Sequence, residues 1–272
     1  MSHTALQRTI VRLLFDPAFV ARLAADPEAA LAGAGLEPRE RRWLAEADPR
    51  AFGVDGYRRT RTLRALLEEH AATAALVCAD AGAVRALERF FSDDAFHAAI
   101  AERRSLAGAF GAWLLGLART PEARAVGRLE ALVARVRRGT PRPWPEGAAL
   151  RVPPTVGSEA LPAGAVAAWQ AVVTPLRQAE DGPVAALLAP SRAPARARVD
   201  ERETVCVLAV ATGGDVALSD VSEPLHDLLR IVGDGAPEAD ALAHLAAEGL
   251  DAVEAAELVS ELVGDGLLER RP

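Results

Sequence analysis

Five histidines, at positions 3, 70, 97, 226 and 244, and two cysteines, Cys78 and Cys206, are the residues of this 272-residue chain best suited to metal binding or nucleophilic chemistry. Their spacing argues against both. His244 and Glu248 lie one helical turn apart, which suits a shared metal but suits a plain surface pair better. His97 and Glu102 are five apart and do not face each other on a helix. His70 falls on an apolar helix stripe, as a core histidine does. The two cysteines are too far apart for a zinc finger or a small disulfide scaffold, and they point to a reducing, cytoplasmic setting. No GxGxxG follows a strand, and no GxxxxGK[ST], HExxH or GxSxG occurs. The expectation is therefore no catalytic residue, no metal and no cofactor, in a chain that is not itself an enzyme.

The elements that position these residues fall into two styles. Asp16-Pro17, Asp26-Pro27, Glu37-Pro38 and Thr120-Pro121 each set a polar residue before a first-turn proline, and Ser92 reads as a further N-cap. Leu6, Ile10, Leu13 and Leu14 recur at helical spacing. So do Leu63, Leu66, Leu67, His70, Ala74 and Val77 after Tyr57, and Val126, Leu129, Val133 and Val136 after Glu122. Residues 1–138 thus read as an all-helical bundle. Residues 139–199 read as a Pro/Ala-rich linker holding a short strand at Leu150–Val152 and a helix at Ala163–Arg177, with a mobile loop at Pro190–Arg198. In residues 200–272, Thr204–Val210, Gly213-Gly214 and the alternating Val216 and Leu218 make a hairpin. Three short helices follow, capped by Ser222, started by Pro237 and opened by the capping box Asp251-x-x-Glu254. A hairpin followed by three tight helices is winged-helix-like. The fold class is mainly α with a small β part (α+β).

Charge divides along the same lines. Residues 200–272 carry a net charge of −13 and residues 1–199 a net of +6. Opposite signs fit either two differently solvated domains or a surface that docks on a charged partner. Every basic residue is Arg, with no Lys in the chain. That is the mark of GC-rich coding and carries no inference about nucleic acid. The N-terminal apolar run is broken by Arg8 and Arg12, unlike a signal peptide, and no stretch of about 18 uncharged apolar residues is present to span a membrane.

The segment VALSDVSEPLHDLLRIVGDGAPEADALAHLAAEGLDAVEAAELVSELVGDGLLE resembles the RiPP recognition element, the peptide-binding winged-helix domain of ribosomal natural-product pathways. The segment LQRTIVRLLFDPAFVARLAADPEAALAGAGLEPRERRWLAEADPRAF is similar to the small helical subunit of protocatechuate 4,5-dioxygenases. It is also similar to the helical front half of partner proteins that accompany multinuclear non-haem iron oxidative (MNIO) enzymes. The combination resembles those partner proteins over nearly the whole chain. What the resemblance implies is a non-catalytic subunit that binds a precursor-peptide leader and forms a heterodimer with a separate iron-dependent modifying enzyme. The implied peptide-binding positions are Val216, Ala217 and Leu218 on the strand, with Leu258 and Leu262 on the third helix. Of Val216, Leu218, Leu258 and Leu262, at least half are expected to be core residues with no ligand contact. Trp113 and Trp144 are the aromatic candidates for the enzyme interface.

Two other functions compete. A winged-helix transcriptional regulator needs basic residues on its recognition helix. Here that helix carries Glu254, Glu257 and Glu261 and no Arg, so no nucleic-acid partner is expected. A dioxygenase-type small subunit would bring histidines and carboxylates at ligand spacing, which are missing.

Overall fold

Polar residues ahead of prolines start four helices, as the sequence implies. Asp16 accepts from the Phe19 N–H at 3.1 Å, Asp26 from that of Ala29 at 3.0 Å, and Thr120 from that of Ala123 at 3.2 Å. Ahead of Pro38, the Glu40 carboxylate reaches back to the Glu37 N–H at 2.9 Å. Each contact satisfies a helix-end donor that the helix itself leaves open. The computed structural model describes residues 3–53, 57–81, 85–180 and 196–272. The chain is mainly α-helical with a small antiparallel sheet, an α+β protein. It divides into two compact units, Met1–Arg119 with Val173–Pro194, and Thr120–Val172 with Ala195–Pro272. This corrects the expected boundaries. The helix at 121–138 belongs with the sheet rather than the bundle, and 139–199 is no plain linker. Of the loop expected at Pro190–Arg198, residues 190–195 lie outside the described residues.

The first unit contains α1 (His3–Phe15), α2 (Pro17–Ala25), α3 (Pro27–Leu31), α4 (Pro38–Glu46), α5 (Tyr57–Glu69), α6 (Ala71–Ala81), α7 (Arg85–Glu88), α8 (Asp94–Ala101) and α9 (Leu106–Leu117). Asp16, only 1% exposed, ties three segments together. Besides capping α2 it accepts from the Ser92 hydroxyl at 2.8 Å, and its Oδ2 lies 3.6 Å from Arg12 Nε and 3.9 Å from Arg22 Nη2. Both guanidinium groups sit over the Phe19 ring, at 4.7 and 5.6 Å. Ser92 is therefore not the N-cap of α8. Asp93 is, accepting from the Ala95 N–H at 2.9 Å. Phe90, Phe91, Phe96 and Phe110 are fully buried in one apolar cluster, and Leu13, Phe19, Leu31 and Leu44 anchor another. The helix expected to run on from Tyr57 breaks at His70, which is buried edge-on to Phe110. Gly111 leaves the room, since a Cβ there would lie 2.5 Å from the imidazole.

The second unit contains α10 (Pro121–Arg138), β1 (Leu150–Arg151), β2 (Val156–Ala163), β3 (Asp200–Thr212), β4 (Asp215–Val221), α12 (Glu223–Val232), α13 (Glu238–Ala247), α14 (Ala252–Gly264) and β5 (Glu269–Arg270). The remaining helix, α11 (Ala165–Arg177), follows β2 and buries Trp169. The main sheet runs β2–β3–β4, all antiparallel. The expected hairpin is present. Gly213 and Gly214 have φ +61° and +95°, the left-handed pair a two-residue turn requires. β2 escapes a sequence reading because Gly157 and Pro162 interrupt its alternation.

Register assigns the two faces of the sheet. Val156–Val210–Ala217, Ser158–Leu208–Ser219 and Ala160–Cys206–Val221 share one face; Gly157–Ala209–Leu218 and Glu159–Val207–Asp220 share the other, with Val216. On the first face, His226 of α12 bonds Ser158 Oγ at 2.9 Å, and Leu208 joins the core of Leu228, Leu229, Val259 and Leu262. On the second, Arg128 of α10 donates to Glu159 at 2.6 Å. β3 is thus covered on both faces, with Val207 2%, Leu208 6% and Ala209 0% exposed. A second small sheet pairs β1 with β5, and the buried Leu150 exchanges backbone hydrogen bonds with Ala236 at 2.9 and 3.0 Å.

Gly157 sets how closely α10 approaches the sheet. A Cβ there would meet Leu132 Cδ1 at 2.9 Å and Arg135 Nη2 and Val136 Cγ1 at 3.0 Å. Gly157→Val should lower stability by about 1–3 kcal/mol through overpacking. Ser219→Val, on the exposed edge strand, should change it by less than about 0.5 kcal/mol. Urea unfolding of both variants checks the contrast.

Candidate functional site

The open feature of the second unit is the outer edge of β4. A two-residue turn makes its flanking residues, Thr212 and Asp215, a hydrogen-bonded pair, and such pairs alternate along an antiparallel ladder. Ala217, Ser219 and Val221 therefore bond to β3, while Val216, Leu218 and Asp220 direct their N–H and C=O groups outward. No backbone group among the described residues pairs with them. The opposite edge of the sheet is blocked. In β2, Pro162 has no N–H, the register shifts at Pro162/Ala163, and the Ala160 carbonyl accepts from Arg128 at 2.7 Å.

The five residues expected to contact a peptide do not line one groove. Leu262 is 6% exposed and belongs to the core, with Leu258 half-buried against it. Val216 and Leu218 are half-buried on the face that carries α10, whereas Leu258 and Leu262 belong to the helices covering the other face. Ala217 is exposed and turns toward the α12 side. The alternation in the sequence identifies two faces but does not say which layer covers each. The outer side of α14, by contrast, goes unremarked in the sequence reading. Val253, 65% exposed, lies with Ala256, Glu257, Ser260 and Glu261 along a shallow depression of about 560 Å³. The signal was the spacing of Val253, Ala256 and Ser260, small or apolar residues on one helix face among glutamates.

The residues with chemical potential are dispersed. His244 Nε2 lies 3.2 Å from the Pro224 carbonyl rather than pairing with Glu248, and Glu102 pairs with Arg104 at 2.7 Å rather than with His97. Among the described residues, no three His, Cys, Asp or Glu side chains gather as a metal site would need. Comparison with known protein families, curated proteins and solved structures finds no match to this chain. No described helix is long and apolar enough to cross a membrane. The tryptophans expected at an enzyme interface are engaged within their own units. Trp113 packs on Phe90 and Phe110 and donates to Asp93 at 3.1 Å; Trp144 lies under Arg151 at 4.4 Å. The exposed aromatics are Trp43 (59%) and Tyr57 (76%).

Two titrations follow. Burial holds the Cys78 thiol up at about 11, and burial followed by Glu223 and Asp227 raises that of Cys206. At about pH 8, iodoacetamide should leave both thiols unmodified in the folded chain while alkylating both in the unfolded chain, as mass spectrometry reads. Burial, then the Arg12 charge, pushes His97 below 6.5, against the opposite pull of Asp16, the Phe91 carbonyl and Asp94. The unfolded chain then binds the extra proton first, so this stability is present above pH 6.5 and is lost as pH falls through the folded value. Between about pH 7 and pH 5, the melting temperature of His97→Phe should fall less than that of the parent chain.

Proposed function

We propose that this chain is a non-catalytic partner subunit that binds the leader of a ribosomally made precursor peptide and presents it to a separate iron-dependent modifying enzyme. The observation that carries the reading is the unpaired edge of β4, next to a winged-helix-like trio of helices. Val216, Leu218 and Asp220 offer three consecutive outward N–H and C=O pairs to an extended peptide, which gives affinity with little demand on sequence. Specificity then comes from whatever the peptide's side chains meet beside that edge. Asp215, Asp220 and Glu223 near the strand, with Glu257 and Glu261 on α14, favour a leader that carries basic residues. The sequence resemblance supports the same reading. The heterodimer with the enzyme would use the helical first unit, where Trp43 is an exposed aromatic.

The test is titration of a labelled leader peptide, taken from any short reading frame found beside this gene, into the full chain. Leu218→Pro removes an outward N–H and should weaken binding at least about tenfold while leaving the β3–β4 ladder in place. Ala217→Pro removes a ladder donor instead and should lower stability. Binding by folded Leu218→Pro at parental affinity would exclude β4 as the docking edge. Raising salt should slow association of a basic leader, since charges beyond about 8 Å are screened at physiological ionic strength. Co-expression of the chain with an iron-dependent enzyme of the kind proposed should give one peak on size exclusion, and Trp43→Ala should split it.

A further inference from the structure

Helices α1 and α8, with the turn after α3, line a half-open cavity of about 440 Å³ in the first unit. That volume falls within the range of small-molecule pockets. Phe19, Ala34 and Ile100 supply an apolar wall, and Arg8, Arg12 and His97 a polar one. Two atoms of that polar wall, Arg12 Nε and His97 Nε2, are buried with no hydrogen bond among the described residues, and Arg12 Nε lies 3.6 Å from the Asp16 carboxylate, which it shares with Arg22. The Arg12 nitrogen always carries its proton. His97 Nε2 donates or accepts according to the tautomer of its ring, so it can partner a hydroxyl either way. Arg8, one turn before Arg12 and exposed, adds a second cation to the lining, while the Asp94 carboxylate disfavours a ligand with two negative charges.

A wall that offers cations and one buried imidazole nitrogen opposite an aliphatic surface fits a small monoanion bearing a hydroxyl. We propose that this cavity binds a short branched-chain hydroxy acid, with its carboxylate on Arg8 and Arg12, its hydroxyl hydrogen-bonded to His97 Nε2, and its alkyl tail against Phe19 and Ile100. Nothing in this assignment depends on peptide docking at β4. It gives the first unit a ligand of its own.

The probes are 2-hydroxyisocaproate and its deoxy analogue 4-methylpentanoate, titrated into the full chain. Long-range proton–nitrogen spectra of the histidine rings and thermal shift provide the readouts. The hydroxy acid should move the His97 ring resonances, leave those of His226 and His244 in place, and raise the melting temperature. It should bind about tenfold tighter than the deoxy acid. His97→Phe should erase that preference, and Arg8→Gln should weaken both acids. Unmoved His97 resonances at saturating probe, as a cavity that holds only water would give, would overturn the proposal. So would equal affinities for the two acids, or undiminished binding by Arg8→Gln. If His97→Phe does not fold, the hydroxyl preference of the parent chain and the Arg8→Gln titration decide the matter by themselves.

Discussion

Burial of β3 on both faces is the constraint around which the second unit is built. A strand covered on one side can alternate polar and apolar residues; one covered on both cannot, and Cys206-Val207-Leu208-Ala209 has no polar member. Two separate layers are needed to cover it, α10 on one side and α12 to α14 on the other. That need explains why a helix that reads as the last of a bundle belongs with the sheet. It also explains Gly157, the position on β2 where α10 comes too close for any side chain. With both faces taken, the sheet's remaining unsatisfied groups lie at its edges, and among the described residues it is β4 that leaves an edge open.

The first unit is organised by a different interaction. Asp16 is a buried carboxylate whose partners come from α1, α2 and the segment before α8. Buried charge is tolerated only when hydrogen bonds and countercharges surround it. Arg12 and Arg22 meet that condition while lying over Phe19, so one charge cluster joins the helix ends to the apolar core. Arg12 also faces the cavity, which couples the pocket's polar wall to the packing of the unit.

Local chemistry was legible in the sequence and layered packing was not. Caps at Asp16, Asp26, Thr120 and Asp251, and the Gly213-Gly214 turn, depend on residues within a few positions of one another, and each was readable. Ser92 was misread because two acceptable caps stand side by side and a distant carboxylate takes the hydroxyl. β2 was missed because its glycine serves a helix that lies across the sheet and its proline sits at a bulge. The edge strand was legible from its alternation. The side chains beside it were not, because period-two spacing is silent about which layer covers which face. Arg12 and His97 lie on different helices and meet only through the fold, so no spacing rule would have joined them.

The pairing of β1 with β5 has a consequence for how the chain assembles. Arg151 holds Glu269 at 2.6 Å across a sequence separation of 118 residues, and Leu150 is buried beneath that closure. Closing a flexible loop of that length costs roughly 4 kcal/mol in chain entropy before any contact compensates. The second unit cannot assume its final topology on the ribosome until residue 270 has emerged, although α10 is made far earlier. Its apolar stripe must wait through synthesis of the 83 residues from Gly139 to Val221 for the sheet that covers it. High contact order of this kind makes for slow folding and prolonged exposure of apolar surface.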